Sequence, residues 1–316
     1  MPTAPAPRSR ALHCVAVASV LANIGIVLTG GAVRLTGSGL GCPTWPRCTD
    51  QSYVVHGALG WHGVIEFGNR MLTFVLAAVA LATVLVVWRA RPRDLVARVL
   101  AVVLAVGVPA QAVLGGLTVL TDLNPWLVAL HLMLSLAMIA VAVRLLHHVR
   151  GGAPSPPGPS PHPAVRWLVL ATYAVTWMVV YLGTIVTGSG PHAGDVDSPR
   201  NGLNPVGVSQ LHADAVFVLV GLTIGVLVAV HIAAAPAGAV RAARWLLAVE
   251  LVQGLVGVVQ YATDLPIVLV ELHLLGACAT VVAATALVLS VSPVRPARRG
   301  QRSSGSTATA RNSSAR

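Results

Sequence analysis

Long apolar runs, broken by short polar stretches, set the pattern of this chain. Eight runs occur, at about 11–32, 62–87, 98–120, 126–146, 166–187, 210–231, 244–262 and 267–290. A helix needs roughly 20 apolar residues to cross about 30 Å of hydrocarbon, and the runs are of that order. They are too long for barrel strands and do not alternate as such strands would. A helix that is apolar all round has no amphipathic period, so periodicity leaves the ends of each run undefined. The pattern predicts an all-α polytopic membrane protein of eight transmembrane helices.

Composition agrees, with 55% hydrophobic and 10% charged residues where soluble domains carry about 25% charged. A net charge of +11 could by itself suggest a nucleic-acid partner, but its placement does not. All 21 basic residues are arginine, and 17 of them fall before the first run, after every second run, or in the C-terminal tail. Arg34, Arg47 and Arg200 lie on the other side, and Arg70 lies within a run. Asp50, Asp122, Asp195, Asp197 and Asp264 also fall in the opposite loops. The positive-inside rule then places both termini in the cytoplasm. The charge records topology, the surrounding partner is membrane lipid, and no nucleic acid is expected. The first run lacks a cleavage-site pattern and reads as a span rather than a signal peptide.

A Gly/Pro/Ser-rich stretch at 151–163 excludes a helix and divides the chain. The expected organisation is an N-terminal four-helix half at 11–146 and a cytoplasmic linker at 147–165. A C-terminal four-helix half at 166–290 and a disordered cytoplasmic tail at 291–316 follow. The halves echo one another. Thr29-Gly-Gly-Ala-Val-Arg-Leu-Thr-Gly-Ser-Gly39 parallels Gly183-Thr-Ile-Val-Thr-Gly-Ser-Gly190. Gln111 to Leu123 parallels Gln253 to Leu265, and each Thr-Asp-Leu is followed by a proline and then by His131 or His273. With four spans per half, both halves enter the membrane from the same side. This predicts tandem bundles related by a pseudo-twofold axis near the membrane normal, not an inverted transporter repeat.

Four of the eleven histidines, His62, His131, His212 and His273, fall in the first two turns of the even-numbered spans. They share a depth near the outer face. Each alone would read as a satisfied core histidine, but repetition at equivalent positions argues for ligands. Paired imidazoles in an apolar helical pocket suit haem iron, and Gly115, Gly116, Gly254 and Gly257 would let a flat macrocycle approach. Zinc would want cysteine or carboxylate partners at suitable spacing. The first-half partner stays open between His62 and Asn69, which share a helical face.

Two further features carry chemistry. Glu66 and Arg70 lie four apart at the mouth of the second run. A charge at the centre of a bilayer costs roughly 2.5–3.5 kcal/mol, so the pair reads either as mutual neutralisation or as a functional carboxylate with its support. Cys42 and Cys48, six apart on the predicted oxidising side, suggest a disulfide, structural or redox-active. The second half has no counterpart.

These features together resemble the haem A synthase family. The resemblance rests on Gly30-Gly-Ala-Val-Arg-Leu-Thr-Gly-Ser-Gly-Leu-Gly-Cys-Pro-Thr-Trp-Pro-Arg-Cys48, on Ile65-Glu-Phe-Gly-Asn-Arg70, on the paired Thr-Asp-Leu…His elements and on the eight spans. It covers roughly residues 11–290, and the arginine-only, Ala/Val-rich usage resembles the actinobacterial branch. It implies an oxidoreductase of a bacterial plasma membrane that converts the C8 methyl of haem O to the formyl of haem A, with water supplying the oxygen, for cytochrome oxidase assembly. By resemblance, Glu66 is the catalytic carboxylate with Arg70 in support, and His131 ligates the substrate haem. His212 and His273 are then the axial ligands of a haem b cofactor, and Cys42–Cys48 is the loop disulfide. The family pattern has a second histidine three residues after the glutamate, where this chain has Asn69. Either His62 substitutes, or the substrate iron has one histidine. The implied partners are haem O, an unidentified electron acceptor and, as a candidate, haem O synthase. Two other classes compete: a di-haem cytochrome, which needs two bis-histidine sites and no Glu66, and a non-enzymatic haem carrier.

Overall fold

The computed structural model describes residues 7–150, 162–233 and 235–291. Among them, eight helices run α1 (Pro7–Leu35), α2 (Gly60–Ala90), α3 (Leu95–Leu120), α4 (Pro125–Arg150), α5 (Pro163–Ser189), α6 (Pro205–Ile232), α7 (Ala237–Ala262) and α8 (Ile267–Ser290). A single 3-10 turn, Gly57–Leu59, leads into α2. All eight helices are long and apolar enough to cross a membrane. This is an all-α, multi-pass membrane protein.

Most of the helices outrun their apolar stretches. An apolar run measures the hydrocarbon layer, whereas helix ends are fixed by caps in the polar flanks. Asn204 caps α6 by accepting from Val206 N at 2.9 Å and Gly207 N at 3.2 Å, six residues before the apolar run begins. Asp94 caps α3 through Ala97 N at 3.1 Å. α5 starts at Pro163 behind the His162 side chain, because a proline at a helix's first turn gives up no internal hydrogen bond. Thus 147–150 close α4 and 163–165 open α5, while linker residues 151–161 and the tail from 292 lie outside the described residues.

The repeat read from the sequence is a repeat of backbone. Asp122 and Leu123 have φ of 52° and 60°, and Asp264 and Leu265 have 60° and 58°. Both turns close alike: Leu123 N donates to Thr118 O and Leu265 N to Gln260 O, each at 2.8 Å. This six-to-one bond satisfies a terminal helix carbonyl. Two consecutive left-handed residues without glycine are unusual, and they occur at the same place in each half.

In the first half α1 packs on α2, α2 on α3, α3 on α4 and α4 on α1; α5 to α8 close a second ring in the same order. The rings meet through α4–α8, α4–α5 and α1–α8. Exchanging each helix for its counterpart returns the same set of contacts. The largest apolar core includes Leu12, Leu104, Leu136, Ile139, Val180 and Val281, and so spans the seam between the rings. A second core, including Val169, Val226, Val230, Ala243, Leu246 and Leu287, fills the end of the second ring where α5 and α7 begin. At the opposite end the loops tie the rings together. Arg34 Nε donates to His192 O at 2.7 Å, and Gly39 N donates to Gly194 O at 2.8 Å.

Candidate functional site

The polar groups gather at the end of the bundle where α2, α4, α6 and α8 begin. His131 and His273 are each the seventh residue of their helices, and His212 is the eighth of α6. In both halves a glutamine one helix earlier holds the histidine's own carbonyl: Gln111 Nε2 donates to His131 O at 3.3 Å, and Gln253 Nε2 donates to His273 O at 2.8 Å. In the first half Gln111 also donates to Ser135 Oγ at 2.7 Å.

Glycines lie against the rings. A Cβ added to Gly115 would stand 3.2 Å from His131 Cε1, one on Gly183 3.3 Å from His212 Cε1, and one on Gly257 3.5 Å from His273 Cε1. Gly183 was not singled out from the sequence, although it opens one of the repeated stretches. Two of the other expected glycines do something else. Gly116 is covered by the Trp45 indole, which leaves no room for a Cβ, and Gly254 has nothing within 4 Å.

The halves then part. The rings of His212 and His273 face one another with centres 6.4 Å apart and planes at 77°. Two imidazoles bound to one metal from opposite sides, at about 2 Å per nitrogen, have ring centres about 6 Å apart. His212 Nδ1 contacts Val179 O at 3.1 Å, which leaves Nε2 as the nitrogen free to ligate. Nδ1 of His131 and of His273 is buried with no hydrogen-bond partner. Among the described residues no group of three or more His, Cys, Asp or Glu gathers as a metal-ion cage. One imidazole pair among apolar helices fits haem ligation, whereas zinc would want further Cys, His or carboxylate ligands. Among the described residues no histidine ring packs against His131: His62 stacks on Trp61 with centres 3.8 Å apart and meets Ser38 Oγ at 3.0 Å. Asn69 Oδ1 is buried without a partner.

Above the first half sits the cysteine loop. Cys42 and Cys48 form the expected disulfide, and both are buried. Glu66 and Arg70 pair, as their spacing allowed, but they do more than neutralise each other. Arg70 Nε donates to Glu66 Oε1 at 3.1 Å, while its other nitrogens donate to Cys42 O at 3.0 Å, Thr44 O at 3.0 Å and Arg47 O at 3.1 Å. Glu66 Oε2 accepts from Cys42 N at 2.7 Å. Glu66 is 5% exposed. The pair is therefore a clasp that fixes the loop and the carboxylate together. Gly41 has no room for a side chain because the His62 backbone carbonyl stands where a Cβ would go.

One buried carboxylate was missed. Glu250 of α7 is 3% exposed and accepts from Thr223 Oγ1 of α6 at 2.8 Å. The signal was available: it is an ionisable residue inside a membrane-length apolar run.

Comparison with known proteins places these features. Over 171 residues the chain is 28% identical to the haem A synthase of Halalkalibacterium halodurans, covering 52% of this chain and 57% of that one. It is 25% identical over 194 residues to that of Bacillus licheniformis, covering 60% and 63%. It is 34% identical over 123 residues to that of Bacillus pumilus, covering 38% and 39%. The chain thus matches less than two thirds of the length of each of these relatives. A family model described as cytochrome oxidase assembly protein, COX15-CtaA, matches residues 13–62 and 61–194, which includes Glu66, the cysteine loop and His131 and stops before His212. That match covers more than half of the chain, and the chain accordingly belongs to the COX15-CtaA family of cytochrome oxidase assembly proteins.

Proposed function

We propose that this protein is a haem A synthase that oxidises the C8 methyl of haem O to a formyl group. The observation that carries the reading is the inequality of the halves: His212 and His273 pair at 6.4 Å, whereas His131 occupies the equivalent place without a histidine partner. Two ligands suit a resident cofactor, and one suits a substrate that must leave. The name borne by the relatives supports the same reading.

On this reading the halves are 11–146 and 166–290, related by a pseudo-twofold axis. The first holds haem O on His131, with no second histidine ligand, and His62 serves the loop. The second holds haem b between His212 and His273, and that cofactor supplies one-electron redox chemistry when bound. Converting the methyl to a formyl with oxygen from water releases four electrons and four protons. Glu66, buried and fixed by Arg70 and Cys42 N, is the group positioned to take a proton from the reacting carbon or its hydroxyl. Arg70 keeps that carboxylate at one position. The disulfide loop, packed by Trp45 onto Gly116, covers this end of the first half. The protein lies in a bacterial plasma membrane with both termini cytoplasmic. Its electrons pass to an acceptor outside the chain, and haem O synthase delivers its substrate.

The test is expression in membranes that contain haem O and lack haem A, followed by extraction and identification of haems by chromatography and mass. Haem A or its hydroxylated precursor is expected from the wild type, and haem-loaded but inactive protein from Glu66→Gln. Unmodified haem O and haem B alone, on folded haem-loaded wild type, would sink the reading.

A further inference from the structure

The proposed reaction leaves Glu250 without a task. It stands midway along α7, with Oε1 bonded to Thr223 Oγ1 and Oε2 buried with no partner. Thr223 is itself fully buried. Two helices pack on α7, namely α6 and α8. Their titratable residues are His212, Asp214 and His231 on α6 and Glu271, His273 and Cys278 on α8, and α7 adds Arg241, Arg244 and Tyr261. Among the described residues none of these forms an ion pair with Glu250. Asp214 accepts from Gln210, and Arg244 bonds His231. The carboxyl therefore has no counter-cation in a setting where ionisable groups are retained for function.

Two placements say which function. The spacing that relates Gln111 to Gln253 and His131 to His273 sets Glu250 against Val108, a buried apolar residue of the first half. The carboxyl thus belongs only to the half with the paired histidines. Along α7 it lies one turn from Gln253, whose side chain holds His273 O. In the other direction Val226, Val230, Ala239, Ala243 and Leu246 form a closed apolar core. This apolar core lies between Glu250 and the end where α7 begins, and the polar Gln253 lies toward the histidine end.

We propose that Glu250 is a proton-binding site coupled to electron arrival at the iron held by His212 and His273, and that it exchanges with the histidine end of the bundle. The inference rests on the haem b reading of that half. As one electron from the methyl group under oxidation converts ferric iron to ferrous, one proton from water at that end bonds to the carboxylate. The added negative charge is neutralised by one O–H bond, and the proton returns when the electron leaves. Placing charge compensation beside the iron removes the cost of an unbalanced charge in low dielectric.

The experiment is a redox titration of the purified haem-loaded protein from pH 6 to pH 9, followed by absorption and by redox-difference infrared spectroscopy. One proton per electron lowers the midpoint by up to about 59 mV per pH unit, a tenfold change in equilibrium constant for each unit. The wild type is expected to show such a slope over part of the range and to gain the carbonyl stretch of a protonated carboxyl on reduction. Glu250→Gln is expected to lose both, and Glu250→Asp to keep a slope with a shifted midpoint. A flat wild-type titration, or a slope and band unchanged in Glu250→Gln, overturns the proposal. Failure of the underlying reading looks different: the wild type would lack a bis-histidine haem spectrum, or that spectrum would survive His212→Ala and His273→Ala.

Discussion

Glu66 and Arg70 show how one pair of side chains settles two questions. The carboxylate accepts from Arg70 and from Cys42 N, and the guanidinium spends its remaining donors on three loop carbonyls. The charges neutralise each other, and the same bonds set where the carboxylate sits. Removing one partner of a buried pair is worse than removing both, because it strands an uncompensated charge, at a cost of about 3–5 kcal/mol. Arg70→Leu is therefore expected to destabilise the purified protein by about that amount in thermal unfolding, and Glu66→Gln with Arg70→Leu to recover a large part of it. Additive losses in that cycle would show the two residues acting independently.

At the scale of the elements, the caps decide where helices begin, and one of them is a pH-sensitive joint. Asp94 caps α3 and also reaches His148 at the end of α4 at 2.9 Å and Arg91 at 3.7 Å. Partial burial pushes its carboxyl up, but the Ala97 N–H bond, His148 and Arg91 outweigh this and hold it below its ordinary value. A carboxyl depressed by folding adds stability above its unfolded pKa of about 3.9, and that stability is lost as pH falls through the lower folded value. Asp94→Asn keeps a capping oxygen and loses the charge. The variant is expected to melt below the wild type at pH 7 and to converge with it as the pH is lowered through and below about 4. A gap that stays constant with pH would assign the effect to the cap alone. The repeated Thr-Asp-Leu turns make the complementary point, since their shared left-handed backbone keeps the α3–α4 and α7–α8 hairpins alike.

For the whole molecule, two rings of four helices share a core along the seam, while the loops bridge them at one end through Arg34 and Gly39. The excess of arginine in alternate loops sets the expected orientation. Affinity tags at the two termini are expected to be accessible to a membrane-impermeant probe in inside-out vesicles and protected in right-side-out ones. The opposite result would put the histidine end in the cytoplasm and the disulfide in a reducing compartment.

The sequence by itself determined the eight spans, pointed to the Cys42–Cys48 disulfide that the structure forms, and set the expectation of two halves with their histidines at one depth. These follow from run length, spacing and repetition, which are local or one-dimensional. Tertiary structure decided the rest. The family resemblance named His212 with His273, but only packing brings the two rings within 6.4 Å and, among the described residues, sets no histidine ring against His131. Only packing could send His62 to Ser38, cover Gly116 with Trp45, bring Gly183 to His212, and set Thr223 against Glu250. A chain that is apolar on nearly every face gives no stripe from which to read which side of a helix meets which neighbour. That choice is made by close contact between small residues and the few polar groups that must find partners inside the membrane.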